Sequence, residues 1–127
     1  MSEQNVNMVR ACYEAFAGGD FPAVLERMDS GIEWVDQDSL PWGGVHRGQE
    51  EFAAHMQSFA GHFEQFRVEP QEFLDAGACV VVKARFAGRA ADEFDVDAVY
   101  IWELSDGKVV RVESHTDSAR VRDALRR

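Results

Sequence analysis

Residues 94–117 read FDVDAVYIWELSDGKVVRVESHTD, two alternating runs of β-branched and aromatic residues on either side of Ser105-Asp106-Gly107-Lys108. An Asp-Gly pair between such runs predicts a tight hairpin, because a type I′ turn needs positive φ at both central positions. Alternation sets Val96, Ala98, Tyr100, Trp102 and Leu104 on one face of the first arm. It sets Val110, Val112, Ser114 and Thr116 on one face of the second. Each row carries a polar side chain, Tyr100 or Ser114, among large apolar neighbours. That is the pattern of a sheet forming the back wall of a pocket.

Upstream of the hairpin, turn signals at Asp75-Ala76-Gly77 and Gly88 divide strands expected near 64–74, 78–87 and 93–104. Pro70 removes a ladder donor and predicts an edge or a bulge in the first of these. The N-terminal half reads differently. Val6, Val9, Tyr13, Phe16 and Ala17 recur at helical spacing over 4–17, and Gly18-Gly19 stops that helix. Asp20 is a natural N-cap for a short second helix with Pro22 in its first turn; Asp29-Ser30-Gly31 is expected to end it. A strand follows at 32–36, then an irregular stretch at 37–47 with the character of a lid or packed loop. A third helix near 49–61 aligns Phe52, His55, Met56, Phe59 and Phe63, and a short helix is expected over 118–127. Helix-helix-strand-helix followed by a meander predicts one α+β domain over 1–127: a curved, mostly antiparallel sheet wrapped around three N-terminal-half helices, a cone with an internal pocket.

Four segments carry a family likeness: Tyr13 to Asp20 (YEAFAGGD), Ile32 to Asp36 (IEWVD), Arg47 to Glu50 (RGQE) and Asp106 to Val110 (DGKVV). In this order the chain resembles the nuclear transport factor 2-like superfamily, and within it the SnoaL-like polyketide cyclase group, relatives of the ketosteroid isomerases. The resemblance implies that Asp36 stands where the isomerases keep their carboxylate base, and that Tyr100 falls near their protonated, hydrogen-bond-donating Asp. The isomerases' helix-one Tyr aligns with Cys12, with Tyr13 one position off, and their helix-three Tyr aligns with Met56. Their oxyanion hole is therefore not reproduced. A pocket acid/base Asp, as in the cyclases, could be Asp36 or Asp117.

Two functional classes are compatible with these residues. One is a cofactor-independent isomerase or aldol-type cyclase, with catalytic Asp36, Tyr100 and His55, acting on a small apolar or carbonyl-containing molecule. Tyr13, Phe16, Trp34, His46, Met56, Phe59, Trp102, Val112 and Ser114 would contact that ligand, His46 from the lid. The other is a non-catalytic ligand-binding or assembly module with the same cavity filled by side chains. No set of Cys, Asp or Glu completes a metal site around the histidines, and no phosphate loop or nucleophile elbow is present, so neither metal nor cofactor is expected.

Composition narrows the partners. Thirteen Lys and Arg against 23 Asp and Glu give a net charge of −10, which opposes nucleic acid and anionic membranes. No leader or membrane-length apolar run is visible, and Cys12 and Cys79 read as small hydrophobes, so a cytoplasmic protein is expected. The outer sheet face should carry Val81, Val99, Ile101, Val109 and His115 among Lys83, Arg85, Glu103, Arg111 and Glu113. A single-layer sheet apolar on both faces predicts a homodimer through that face.

Overall fold

A computed structural model describes residues 2–126. Four helices, α1 (Ser2–Ala17), α2 (Phe21–Arg27), α3 (Gly48–Ala60) and α4 (Ser118–Leu125), accompany six strands. These are β1 (Met28–Asp36), β2 (Gly44–Arg47), β3 (Gln65–Ala76), β4 (Cys79–Arg89), β5 (Glu93–Ser105) and β6 (Lys108–Thr116). The strands form one sheet in the order β2-β1-β6-β5-β4-β3. Every neighbouring pair is antiparallel except β1 and β6, which run parallel. The sheet is curved and unclosed, and the fold is α+β. The expected C-terminal helix ends at Leu125, and Arg127 lies outside the described residues.

The hairpin forms as the Asp-Gly pair requires: Asp106 and Gly107 have φ of 52° and 76°, and Ser105 pairs with Lys108. One detail differs. Glu103 faces Arg111 and Leu104 faces Val109, so Val110 is the extra residue of a bulge. The bulge turns Val109 inward to full burial and leaves Val110 half-exposed, reversing both expectations, while Val112 onward keeps the expected row.

The first helix-to-strand transition also differs. Asp29-Ser30-Gly31 does not turn the chain; β1 begins at Met28 and runs through it, with its pairing to β6 shifted between Met28 and Glu33. Asp20 caps α2 as expected, accepting from the Ala23 amide at 3.2 Å. Residues 37–43 alone are irregular, because Gly44–Arg47 form β2 beside β1. Leu40 and Trp42 are buried in that loop. At Gly43 an added Cβ would lie 2.2 Å from the Gln37 carbonyl, so only glycine lets the loop close this tightly. The stretch is a packed loop, and His46 belongs to an edge strand rather than a lid. Pro70 sits in the edge strand β3, at a register shift before Glu72.

The helices cover the inner face of the sheet, where Trp102, Phe52, Met28 and Ile32 are almost wholly buried. Gln49, in the first turn of α3, donates to the Met28 carbonyl at 2.9 Å, tying that helix to the start of β1. Around the C-terminal end of α3, Phe59, Phe63, Phe86 and Phe94 pack ring against ring at 4.8–5.8 Å. Asp95 and Asp97 lie on the outward face of β5, and both pair with Arg85.

Candidate functional site

Alternation along β1 sends Ile32, Trp34 and Asp36 to the same, inner side, and all three are buried. Asp36 ends the strand beneath α3, where helical spacing directs His55 onto the sheet. Asp36 and His55 are the buried polar residues of the core. A lone carboxylate there would be costly to desolvate. It is offset by two donors: His55 Nε2–H donates to Asp36 Oδ2 at 2.7 Å and Trp34 Nε1–H donates to the same oxygen at 3.1 Å. Both bonds fall on Oδ2. Oδ1 has no hydrogen-bond partner among the described residues.

Asp36 and His55 stand in the wall of a cavity of about 430 Å³. Tyr13 and Phe16 from α1, Trp34, Met56 and Phe59, and Tyr100 and Trp102 from β5 also line it. So do Ala17, Phe21, Phe66, Arg67 and Val68. Across the cavity the two tyrosines are held in an aromatic frame: Tyr13 sits 6.1 Å from Tyr100 and 5.4 Å from Trp102, ring centre to ring centre. Trp102 Nε1–H donates to the Tyr13 hydroxyl at 3.1 Å. Burial holds the Tyr100 phenol protonated well above its usual range, the nearby Asp36 adds to this, and Ser114 works weakly against it. Burial likewise raises Tyr13, with Tyr100 as the next cause. Both phenols are thus neutral donors, the form that can bond a carbonyl oxygen.

The sequence leaves Asp36 and Asp117 as rivals, and the two occupy different places in the fold: Asp36 borders the cavity. Asp117 is exposed and caps α4 by accepting from the Arg120 amide at 3.2 Å. Three residues expected at the ligand do not line the cavity. Val112 is wholly buried in the sheet, and Ser114 stands beside Tyr100 as its cross-strand partner. His46, opposite Trp34 on β2, lies behind His55, with the two imidazoles stacked 3.8 Å apart at 18°. Its Nε2 meets the Trp42 carbonyl at 3.2 Å; a carbonyl only accepts, so that nitrogen carries a proton. The site thus has a support that sequence reasoning misses, Trp42, because buried loop residues follow no period. Phe66, Arg67 and Val68 escape it too, although Pro70 marks their strand as an edge. His115 points outward to Glu113 at 3.1 Å. Among the described residues no three His, Cys, Asp or Glu are grouped to hold a metal, and no helix is long and apolar enough to cross a membrane.

Comparison with known proteins places the chain. The SnoaL-like domain model matches residues 9–112. No curated protein matches. An NTF2-like protein of unknown function from Burkholderia pseudomallei is 27% identical, superposes with a TM-score of 0.92 and covers 98% of both chains. TerC, crystallised with polyporic acid, is 23% identical with a TM-score of 0.88, over 98% of this chain and 99% of its own. A candidate SnoaL-like polyketide cyclase from Jannaschia sp. is 24% identical with a TM-score of 0.86, over 97% and 92%. At these last two identities the likeness is one of fold.

Proposed function

Because the chain belongs to the SnoaL-like domain family, we propose that its cavity binds a small apolar, carbonyl-containing molecule and moves a proton on the carbon next to that carbonyl, as a cofactor-independent isomerase or aldol-type cyclase. The observation that carries this reading is the division of labour on Asp36. His55 and Trp34 both hold Oδ2, which orients the carboxylate and leaves Oδ1 to take the proton. Tyr100, and Tyr13 beside it, supply neutral hydroxyls for the oxygen of the enolate that forms, in a site largely walled from water. His55 keeps Asp36 in place through that hydrogen bond. The cavity volume also favours a ligand over a filled core, since binding sites run from roughly 300 Å³ upward. In the same reading the functional unit is a homodimer, and nucleic acid is disfavoured by the charge of −10.

Exchange of carbon-bound protons tests it without knowledge of the natural substrate. The probe is 2-tetralone, an apolar ketone with activated protons, followed by NMR in deuterated buffer. The protein should accelerate exchange over buffer, and Asp36→Asn should remove about 10²–10⁴ of that acceleration, the usual range for a general base. Saturation-transfer NMR should still show binding. Bound tetralone with exchange no faster than in the variant would return the protein to the class of binding modules.

A further inference from the structure

Three consecutive residues of the edge strand β3, Phe66, Arg67 and Val68, border the cavity. Strand alternation should send Arg67 to the opposite side from its neighbours. All three can border it only at the rim, where the last strand ends the wall. Their exposure agrees: Phe66 is 40% exposed and the Arg67 side chain 59%. Arg67 is the one permanent cation among the lining residues. Its Nε donates to Glu69 at 3.3 Å, a solvent-screened pair, and its two terminal NH₂ groups make no hydrogen bond to other described residues.

We infer that the cavity takes an amphipathic organic anion, an apolar body bearing one carboxylate-like group that remains at the mouth on Arg67. The inference rests on the cavity reading above and names its ligand class. The charges order the ligand end to end. Asp36 at the inner wall repels a second anion, so the neutral, reacting end enters. The planar guanidinium at the rim offers a fork of N–H donors that matches a carboxylate. The chain as a whole carries a net charge of −10 and repels anions, which makes Arg67 at the opening the local attractor.

Two fluorescent probes of one skeleton isolate the charge: 8-anilinonaphthalene-1-sulfonate and its neutral parent N-phenyl-1-naphthylamine, titrated against the intact protein. Arg67→Gln should weaken the sulfonate about fivefold, the scale of a partly exposed ion pair, and leave the neutral probe within about twofold. Glu69→Gln, which removes the competitor for the guanidinium, should tighten the sulfonate alone. Met56→Trp, which fills the cavity, should abolish both, with circular dichroism reporting that it folds. An Arg67→Gln effect that is equal for both probes, or absent, overturns the anion assignment while the cavity reading stands. Failure of the neutral probe to bind the wild type, or its survival in Met56→Trp, overturns the cavity reading and this inference with it.

Discussion

His55 on α3 and Asp36 at the end of β1 share a hydrogen bond of 2.7 Å across the inner wall of the cavity, with Trp34 donating to the same carboxylate oxygen. The bond joins a helix to the sheet at a point where nearly all other contacts are apolar. It gives the candidate base an orientation, and it also makes the base part of the fold's stability.

That second consequence sets the sign of a stability test. Replacing an unpartnered pocket carboxylate would leave the melting temperature unchanged or raise it. With two donors on Oδ2, the amide can satisfy them only in one orientation and then turns its NH₂ toward the cavity. Asp36→Asn should therefore lower stability, by about 1–3 kcal/mol as for a buried charged hydrogen bond. Urea denaturation measures it. His55→Gln combined with Asp36→Asn should lose less than the two single losses summed, because both remove the same bond.

The Trp102–Tyr13 bond makes an asymmetric prediction. Tyr13→Phe strands the indole N–H in a buried site and should cost about 1–3 kcal/mol. Trp102→Phe in that background removes the stranded donor. Its further effect should be limited to lost ring volume, so a double-mutant cycle by thermal melting should show clear non-additivity.

Stability should fall in alkali. Burial pushes the Cys12 thiol up to about 11, with Arg27 opposing, and the Tyr13 and Tyr100 phenols are also raised. The folded chain keeps these protons where the unfolded chain has released them. Their contribution is complete below the unfolded values of about 8.5 for the thiol and 10 for the phenols. It is lost as pH rises through the folded values. The melting temperature should hold to about pH 8.5 and then decline, and Cys12→Ala should flatten the first part of that decline. An equal slope in the variant would assign the loss to other groups.

A homodimer through the outer sheet face is a further prediction, with one change to the residues expected there. Val81 pairs with Ile101 across the strands and Val99 lies next along, half-buried, but Val109 belongs to the core. Arg111 on that face meets Glu33 and Glu103 at 3.5 and 3.4 Å and also pairs with Glu113. Light scattering should return about twice the 14.3 kDa chain mass, and Ile101→Lys should shift it toward one. A wild-type mass of one chain at micromolar concentration would rule the dimer out.

Much of this was local and therefore legible in the sequence. Strand period places Tyr100, Trp102 and Asp36 on inner faces, helical period places His55 on the sheet, and Asp106-Gly107 and Asp20 write their turn and cap into single residues. These signals depend on neighbours along the chain, so they survive without the fold. What required tertiary structure was every relation between distant segments. The Val109 inversion came from a bulge in the pairing of β6 with β5. That Asp36 lies under α3 while Asp117 caps α4 is likewise a relation only the fold shows. The convergence of Trp34 and His55 on one oxygen, the stack of His46 behind it and the arrival of Arg67 at the rim join segments that no sequence period relates. A period states which way a side chain points; only packing in three dimensions determines what it meets there.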